Sequence, residues 1–378
     1  MAHLKDFTLF VATREQIIEH RTRTFPVWGG GHTVEEYLAR DAACEQQENS
    51  VEGRLITWVL APRDDPTTLD FPCAVESYRR EGRSYDGELQ RVTAYNVACV
   101  YTKEDKRRKG YANHMMRLLH WVLADERFLD RKAFPSEWGA PPERVSEAGG
   151  AYFSALWSGI GPDFYKTCGE APGRDGWLIK DSRSTIWKLE EAEGRVKEPA
   201  GGWQWLDEKE VKEAWDADVP LMERDIEELG KQLVGKPVVS FLPNKGVAAF
   251  QHERCIFSAP HAPFLFKSWG IKATEGELAY ATWTVDVKRK SLGLKNLLLT
   301  RIRAHSDAQF KEMMSAVLRY AKENGCQAVE MWNLPRNFEA AAKDLAGETF
   351  VRDSFLPALK TYAVEDAEYA FNERFHWC

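Results

Sequence analysis

Short apolar runs alternate with amphipathic segments through the first half of the chain. The runs have the length and character of buried strands, and they occupy residues 7–11, 54–61, 72–78, 95–101, 150–157, 177–180 and 185–189. Two capping boxes, Thr13 with Gln16 and Thr33 with Glu36, predict that a helix begins after each threonine. A further helix is predicted over 111–124, where apolar residues recur at helical spacing. This order of elements indicates a mixed α/β fold.

A basic turn connects the strand at 95–101 to the following helix. Its residues, and those of the first helical turn, are basic, small or aromatic: Arg107, Arg108, Lys109, Gly110, Tyr111 and Ala112. Backbone N–H groups at a helix N-terminus lack intrahelical partners and lie at the positive end of the dipole, so they can bind an anion. Gly110 permits close approach to the backbone, and the basic side chains favour phosphate. A solvated basic turn is the alternative.

The Arg-x-x-Gly-x-Ala turn resembles the pyrophosphate-binding turn of the GNAT acetyltransferases, which bind acetyl-CoA there. The order of strands and helices over about the first 190 residues is also similar to the GNAT order. Several longer stretches resemble the fungal lysine N6-acetyltransferases of lysine catabolism, namely 12–41, 73–80, 97–120, 161–169 and 279–287. The resemblance implies that acetyl-CoA, as co-substrate, and free L-lysine give N6-acetyl-L-lysine and CoA.

The second half of the chain repeats the rhythm of strand, helix and strand. Helices are predicted over 207–217, 222–234 and 306–324, and strands over 237–241, 247–251, 263–268, 278–287 and 326–332. A charged stretch with Pro and Gly suggests a linker at 191–202. We therefore predict a GNAT domain with a mixed sheet and flanking helices at 1–190. A second, degenerate GNAT-like α/β domain, without the basic turn and so without a CoA site, is predicted at 203–378.

Acetyl transfer to an amine needs a base for the ammonium proton, an N–H donor for the carbonyl oxygen and an acid for the departing thiolate. The strand 97–101 lies beside the bound cofactor, so Cys99, Val100 and Tyr101 are predicted to bind it, and Val100 or Tyr101 can supply the N–H. The resemblance to the GNAT family makes Tyr165, in Phe-Tyr-x-x-x-Gly, the candidate acid. A core tyrosine on a short helix is the alternative for Tyr165.

The base has three candidates. Glu76 lies in an apolar strand, where a charge needs a partner or a function. His32 precedes the second predicted helix, and the carboxylate of Cys378 is the third candidate, because the terminal carboxylate enters the active site in some two-domain relatives. Trp28 lies in the loop that borders the acceptor in the GNAT family, so Trp28, His32 and Glu76 are predicted to bind the substrate. A water-facing carboxylate, a surface histidine and simple packing of the tail are the respective alternatives.

Composition narrows the classes of partner. The 51 Lys and Arg against 58 Asp and Glu give a net charge of −7, which argues against nucleic acid and favours a cationic amine through electrostatic steering. None of the seven cysteines has Cys-x-x-Cys spacing, so we expect neither a metal site nor a disulfide framework. No secretory signal and no apolar run of about 20 residues is present, so a cytoplasmic protein without a membrane partner is expected.

The identity of the acceptor amine stays open at this stage. A polyamine, a secondary metabolite or an antibiotic could replace free lysine, and a protein lysine is a further alternative. A CoA-binding module without turnover is the alternative from a different class. The sequence gives no indication of an oligomeric state.

Overall fold

The computed structural model describes residues 4–197, 201–257, 266–288 and 294–378. The elements of the first half are β1 (Phe7–Val11), α1 (Arg14–Trp28), α2 (Val34–Cys44), β2 (Leu55–Pro62), β3 (Cys73–Tyr85), β4 (Leu89–Thr102), α3 (Tyr111–Leu123), β5 (Ala151–Ser158), α4 (Asp163–Lys166), β6 (Leu178–Ile179), β7 (Arg183–Lys188) and α5 (Leu189–Ala192). The elements of the second half are β8 (Trp203–Leu206), α6 (Glu208–Gln232), β9 (Val238–Phe241), α7 (Ala249–Phe257), β10 (Gly270–Ala273), β11 (Tyr280–Lys288), β12 (Leu294–Arg303), α8 (Asp307–Glu323), β13 (Ala328–Trp332), α9 (Glu339–Asp344), β14 (Gly347–Val351), β15 (Leu356–Thr361) and β16 (Glu368–Tyr369).

Local capping signals set the helix starts in the first half. The side chain of Thr13 accepts from the Gln16 N–H and that of Thr33 from the Glu36 N–H, and both boxes are complete. The helix α1 continues beyond its predicted end near Arg23 and includes Pro26. The contact of Trp28 with the Tyr101 ring, at a centroid distance of 6.3 Å, packs this last turn against β4.

Three predictions in the second half are wrong. One helix, α6, replaces the two predicted at 207–217 and 222–234, and Pro220 lies inside it; buried neighbours, Asp218 and Met222, pack on either side of the proline. The segment 247–251 is not a strand: residues 247 and 248 form a turn, and α7 begins at Ala249. All five residues are buried, so the sequence shows no periodicity that would distinguish a helix from a strand. The strand β12 was not predicted, and of the predicted strand at 263–268 residues 263–265 lie outside the described ranges, while the rest is not a strand.

The elements form two mixed sheets with the same plan. The first runs β1-β2-β3-β4-β5-β15-β6, with β9 beside β3 and β16 beside β9, and the second runs β8-β10-β11-β12-β13-β7-β14. In each sheet the fourth and fifth strands of these orders, β4 with β5 and β12 with β13, pair in parallel, and in the first sheet β16 also pairs in parallel with β9. This repetition confirms the prediction of a GNAT-type sheet followed by a second GNAT-like α/β unit.

The sixth strand of each of these two orders comes from the other half of the chain, and β9 and β16 of the second half also join the first sheet. The strand β7 comes from the first half but pairs with β13 and β14 in the second sheet. The strand β15 comes from the second half but pairs with β5 and β6 in the first sheet. One hydrophobic cluster joins both halves, since it contains Phe153 of the first half together with Phe241, Trp283 and Leu297 of the second. The division at 191–202 stays a prediction, but neither sheet is complete within one half.

Residues 371–378, called here the tail, are held by groups from both halves. Asn96 donates to the His376 carbonyl oxygen at 2.9 Å, and Gln251 donates to the Trp377 carbonyl oxygen at 3.3 Å. The buried Glu373 carboxylate accepts from the Ile302 N–H at 3.1 Å and pairs with Arg301. These contacts fix the path of the tail toward the first sheet.

Within the described ranges, no helix has both the length and the apolar character needed to cross a membrane.

The strand exchange predicts that the two halves stay joined after the backbone is cut. A protease site inserted after Lys197 and cleaved in the folded protein should give two pieces that co-elute in gel filtration and separate only in denaturant, because β7 and β15 cross between them. The piece 1–197 expressed alone should aggregate, because it lacks β15 and exposes the edges of β5 and β6. Separate elution of the cleaved pieces without denaturant would contradict the exchange.

Candidate active site

A cavity of about 490 Å³ opens where β4 and β5 diverge. These strands pair in parallel as far as Asn96 and Ala155, and both continue beyond that pair without further pairing to each other in the described ranges. Residues of β3, β4 and β5, of α1, α2, α4 and α7, and of the tail line the cavity. The second half of the chain therefore forms part of this cavity in the first sheet.

Most of the predicted catalytic and substrate residues meet in this cavity. Those that line it are Trp28, Glu76, Cys99, Val100, Tyr165 and Cys378. Tyr101 lies next to it, against Trp28. His32 does not line it; its buried side chain has Nδ1 4.0 Å from a Glu36 carboxylate oxygen. The roles given to these residues stay predictions, but their proximity makes the cavity the candidate active site.

A β-bulge in β4 faces the opening between the strands. Ala74 is opposite Tyr101 and Glu76 is opposite Ala98, so β4 has one more residue than β3 between these two pairs. Cys99 takes up the extra residue with a φ of +53°, a conformation that costs about 1–3 kcal/mol in a side chain other than glycine. Such strain is retained where the surrounding fold fixes it, and the bulge presents backbone N–H groups beyond the last pair with β5.

Glu76 is held inside the cavity wall by two neighbours. Its side chain is only 5% exposed, and one oxygen lies 3.8 Å from the Arg21 guanidinium. The Tyr78 hydroxyl donates to the other oxygen at 3.0 Å. Burial first, and then the Glu76 carboxylate, raise the pKa of Tyr78 well above its usual value, so this hydroxyl keeps its proton and donates. The carboxylate thus has a fixed orientation toward the cavity.

Helices α1 and α2 add opposite charges to the cavity. Arg21 of α1 lies 2.8 Å from Glu45 and 3.8 Å from Asp41. Burial opposes the charge of Arg21, but its carboxylate neighbours, Glu76 foremost, raise its pKa above the ordinary value. Arg40 pairs with Asp41 at 2.7 Å. The wall between these helices therefore contains guanidinium and carboxylate groups side by side.

Helix α7 and the tail close the cavity from the second half of the chain. Phe250 and Arg254 of α7 and Trp377 of the tail all line it. The Arg254 guanidinium lies 5.6 Å from the Phe250 ring centre and 5.9 Å from that of Trp377. Burial opposes its charge, but the Asp41 carboxylate, across the cavity wall, contributes to a raised pKa. Three guanidinium groups and three carboxylate side chains therefore line one cavity.

Tyr165 lies on α4, at the β5 side of the opening. The residue is 8% exposed, and its ring packs edge-on against Phe164 and Trp177. Burial raises the pKa of its hydroxyl above the usual value, so the hydroxyl is protonated at neutral pH. It can donate a hydrogen bond or a proton to an anion formed in the opening.

The basic turn has the backbone geometry of an anion site. Arg108 and Gly110 have φ values of +58° and +85°, and α3 begins directly after Gly110 without a side-chain cap. The first N–H groups of α3 are therefore available to donate to a ligand. Arg107 donates to the Thr102 carbonyl oxygen, and Lys109 donates to that of Asp105. Gly110 has no room to spare, since an added Cβ would lie 3.2 Å from Leu4.

Residues 187–378, just over half of the chain, match the family model described as the LYC1 GNAT-like C-terminal domain. The chain belongs to the LYC1-like family of GNAT proteins. Membership of this family, together with the fold, supports acetyl transfer to an amine, and GNAT acetyltransferases use acetyl-CoA. No curated protein matches the chain.

Solved structures share the fold of this LYC1-like protein at low identity. A probable N-acyltransferase from Enterococcus faecalis superposes with a TM-score of 0.57 at 10% identity, covering 94% of this chain and 73% of its own. A GCN5-related N-acetyltransferase from Anabaena variabilis gives 0.52 at 11% identity, with 94% and 73% covered. Another from Kribbella flavida gives 0.51 at 16% identity, with 95% and 71% covered. These similarities establish the fold.

Sequence reasoning missed part of the LYC1-like cavity. Tyr37, Arg40, Asp41 and Cys44 line it from one face of α2, at the spacing of three, four and seven residues that marks a helix face. That spacing was a usable signal. Arg254 gave no such signal in the sequence, because its position depends on a contact between the two halves of the chain. Among the described residues, no His, Cys, Asp and Glu side chains group in threes that could hold a metal ion.

The buried pairing of Arg21 predicts a large effect on stability. Arg21→Met should lower the free energy of unfolding by about 3–5 kcal/mol, because it leaves buried carboxylates without their cation. Arg14→Met is the matched control, since Arg14 pairs with the same Glu45 at 2.9 Å but is 53% exposed, and it should cost less than about 1 kcal/mol. Urea unfolding of the two variants measures both values. Equal losses of unfolding free energy in the two variants would contradict the prediction that the buried pairs of Arg21 stabilise the fold more than the exposed pair of Arg14.

Proposed function

We propose that this LYC1-like protein transfers the acetyl group of acetyl-CoA to the side-chain amine of free L-lysine. The observation that carries the proposal is the single cavity that combines the strand opening and bulge with Glu76, Tyr165 and a set of paired charges. The match to the LYC1 GNAT-like family model adds support for acetyl transfer to an amine. We further propose a cytoplasmic role in lysine breakdown.

Acetyl-CoA would bind along the opening between β4 and β5. The diphosphate would accept from the N–H groups of Tyr111 and Ala112, with Arg107, Arg108 and Lys109 around it. The pantetheine would follow β4 toward the bulge, which brings the thioester to Cys99 and Val100. Support comes from the uncapped start of α3 and the left-handed backbone at Gly110.

The proposed reaction uses few protein groups. Glu76 accepts a proton from the substrate ammonium, directly or through water, and the freed nitrogen attacks the thioester carbon. A backbone N–H of Val100 or Tyr101 donates to the oxygen as it becomes negative. The C–S bond then breaks, the nitrogen loses its second proton to water, Glu76 releases the first proton to solvent, and Tyr165 protonates the thiolate. Tyr165 regains its proton from solvent, so the products are the amide, CoA and one released proton.

The charges of the cavity favour an acceptor that is a zwitterion at one end and a cation at the other. Free lysine has this pattern: an α-carboxylate, an α-ammonium and a side-chain ammonium. We assign the carboxylate to Arg40 and Arg254, the α-ammonium to Asp41, and the side-chain amine to Glu76. A polyamine has no carboxylate for Arg40 and Arg254 to bind. The distribution of charge therefore favours the amino acid.

Cys378 is kept as a second candidate for the base. It lines the same cavity as Glu76, and its carboxylate was predicted from the behaviour of two-domain relatives. Glu76 is preferred because the Tyr78 hydroxyl and Arg21 fix its carboxylate. Burial raises the pKa of the Cys378 thiol to about 12, so the thiol stays protonated at neutral pH and is not itself the base.

The proposal is tested by thiol release from acetyl-CoA against a panel of amines. Free L-lysine should be turned over, and ornithine, a polyamine, an aminoglycoside and a lysine-containing peptide should react far more slowly. Gly110→Asp should abolish release, because it puts a side chain and a negative charge where the diphosphate binds. Turnover of another amine would keep acetyl transfer and overturn the lysine assignment. Full activity of Gly110→Asp would overturn the phosphate site.

Tyr165→Phe should lower the maximal rate while leaving acetyl-CoA binding nearly unchanged. The reason is that the hydroxyl acts on the thiolate, which forms only as the C–S bond breaks. Steady-state kinetics with free lysine, together with the dissociation constant for acetyl-CoA, separate the two effects. Tyr101→Phe is the matched control, because it removes a tyrosine hydroxyl to which the mechanism gives no role and leaves the backbone N–H of residue 101 in place. An unchanged maximal rate in Tyr165→Phe would contradict the acid role and leave Tyr165 as a packing residue.

A further inference from the structure

A second cavity, of about 410 Å³, lies at a gap in the first sheet. The strand β2 pairs with β3 up to Leu55 and Tyr78, and β9 takes over only from Gly82 and Phe241. The β3 residues 79–81 lie between these two partners. The gap is lined mainly by charged side chains: Arg54, Arg79, Arg80, Glu81, Arg91 and Lys245.

The charges around this gap do not balance. Five of these side chains are cationic, and Glu81 is the carboxylate among them. Glu81 is already shared, because it accepts from Lys245 at 2.6 Å, from Arg83 at 3.0 Å and from Arg91. Arg54 pairs with an exposed carboxylate, Glu52, at 3.0 Å. Arg79 and Arg80 have no carboxylate within ion-pair distance in the part of the chain that the structure describes.

Arg80 is the centre of this excess charge. The residue is 4% exposed, and its guanidinium donates to the side chain of Asn96 at 3.3 Å and to the Asn49 carbonyl oxygen at 2.8 Å. Arg79 donates only to backbone carbonyl oxygens, those of Glu147 and Glu52. A buried guanidinium without a counter-ion is costly, and burial lowers the pKa of Arg80. An anion in the cavity would remove that cost.

We propose that this cavity binds a compact anion with at least two negative charges, either a phosphoryl group or a small polycarboxylate. Both present oxygens in the geometry that the guanidinium fork binds in a bidentate manner. The cavity is separate from the basic turn at Gly110. It lies beside residues 91–93 of β4, whereas the turn follows Thr102, and nine residues of strand span about 30 Å.

The anion site is linked to the candidate active site through one face of β3. Residues 76, 78 and 80 alternate along the strand and so share that face. The Arg80 guanidinium lies 5.0 Å from the Tyr78 ring centre, and the Tyr78 hydroxyl donates to Glu76. The side chain of Asn96 accepts a hydrogen bond from Arg80 and donates one to the His376 carbonyl oxygen in the tail. We expect the anion to alter acceptor binding, an effect that rests on the proposed function.

Binding is tested on the full chain with inorganic phosphate and with citrate, each against sodium chloride at the same ionic strength. Calorimetry should show saturable binding of one of the two, and the melting temperature should rise with its concentration. Arg79→Gln and Arg54→Gln should each weaken binding roughly tenfold or more. Arg127→Gln, an exposed arginine that pairs with Asp125, is the matched control and should leave binding unchanged. The anion that saturates identifies the phosphoryl or the polycarboxylate source.

Three results would overturn the inference. The first is that neither phosphate nor citrate binds more tightly than chloride, and the second is that the Arg79 and Arg54 variants bind as the control does. The third is that Gly110→Asp abolishes binding, which would assign the anion to the turn. None of these measurements needs acetyl transfer, so a failure of the anion site can be told apart from a failure of the proposed function. The link is tested by the acceptor KM, which should change at least twofold with the bound anion while the acetyl-CoA KM does not. An unchanged acceptor KM would overturn the link alone.

Discussion

The exchange of β7 and β15 is the constraint on which the rest of the molecule depends. Each sheet lacks its sixth strand until the other half supplies it, so neither half can bury its sheet edges by itself. The pairing of β9 with β3 and of β15 with β5 places α7 and the tail, which follow these strands in the chain, against the first sheet. As a result, residues of the second half, among them Phe250, Arg254 and Trp377, line a cavity whose other walls come from the first half.

The cavity concentrates buried charge that folding alone does not require. Replacement of buried ion pairs by apolar side chains is often neutral or stabilising, yet Arg21, Asp41 and Glu76 are kept together beside an apolar wall. The strained backbone at Cys99 adds a further cost at the same place. Costs of this kind are typical of sites that bind a charged ligand, which agrees with the family of GNAT proteins to which the chain belongs.

Local signals predicted the parts of the fold and of the cavity that neighbours in sequence determine. The capping boxes at Thr13 and Thr33, the turn at Gly110 and the buried Glu76 each depend on a few adjacent residues. The strand exchange could not be read in this way, because β15 pairs with strands about 200 residues earlier. The start of helix α7 was mistaken for a strand because full burial removes periodicity. Arg254, which lies on this helix, was therefore not predicted to line the cavity.

The most direct test of this account is a crystal structure of the protein with CoA and free lysine bound. The account predicts the diphosphate at the first turn of α3, the sulfur between the Cys99 bulge and the Tyr165 hydroxyl, and the lysine side-chain nitrogen beside Glu76. CoA bound to the second sheet, or lysine bound outside the cavity between β4 and β5, would contradict it.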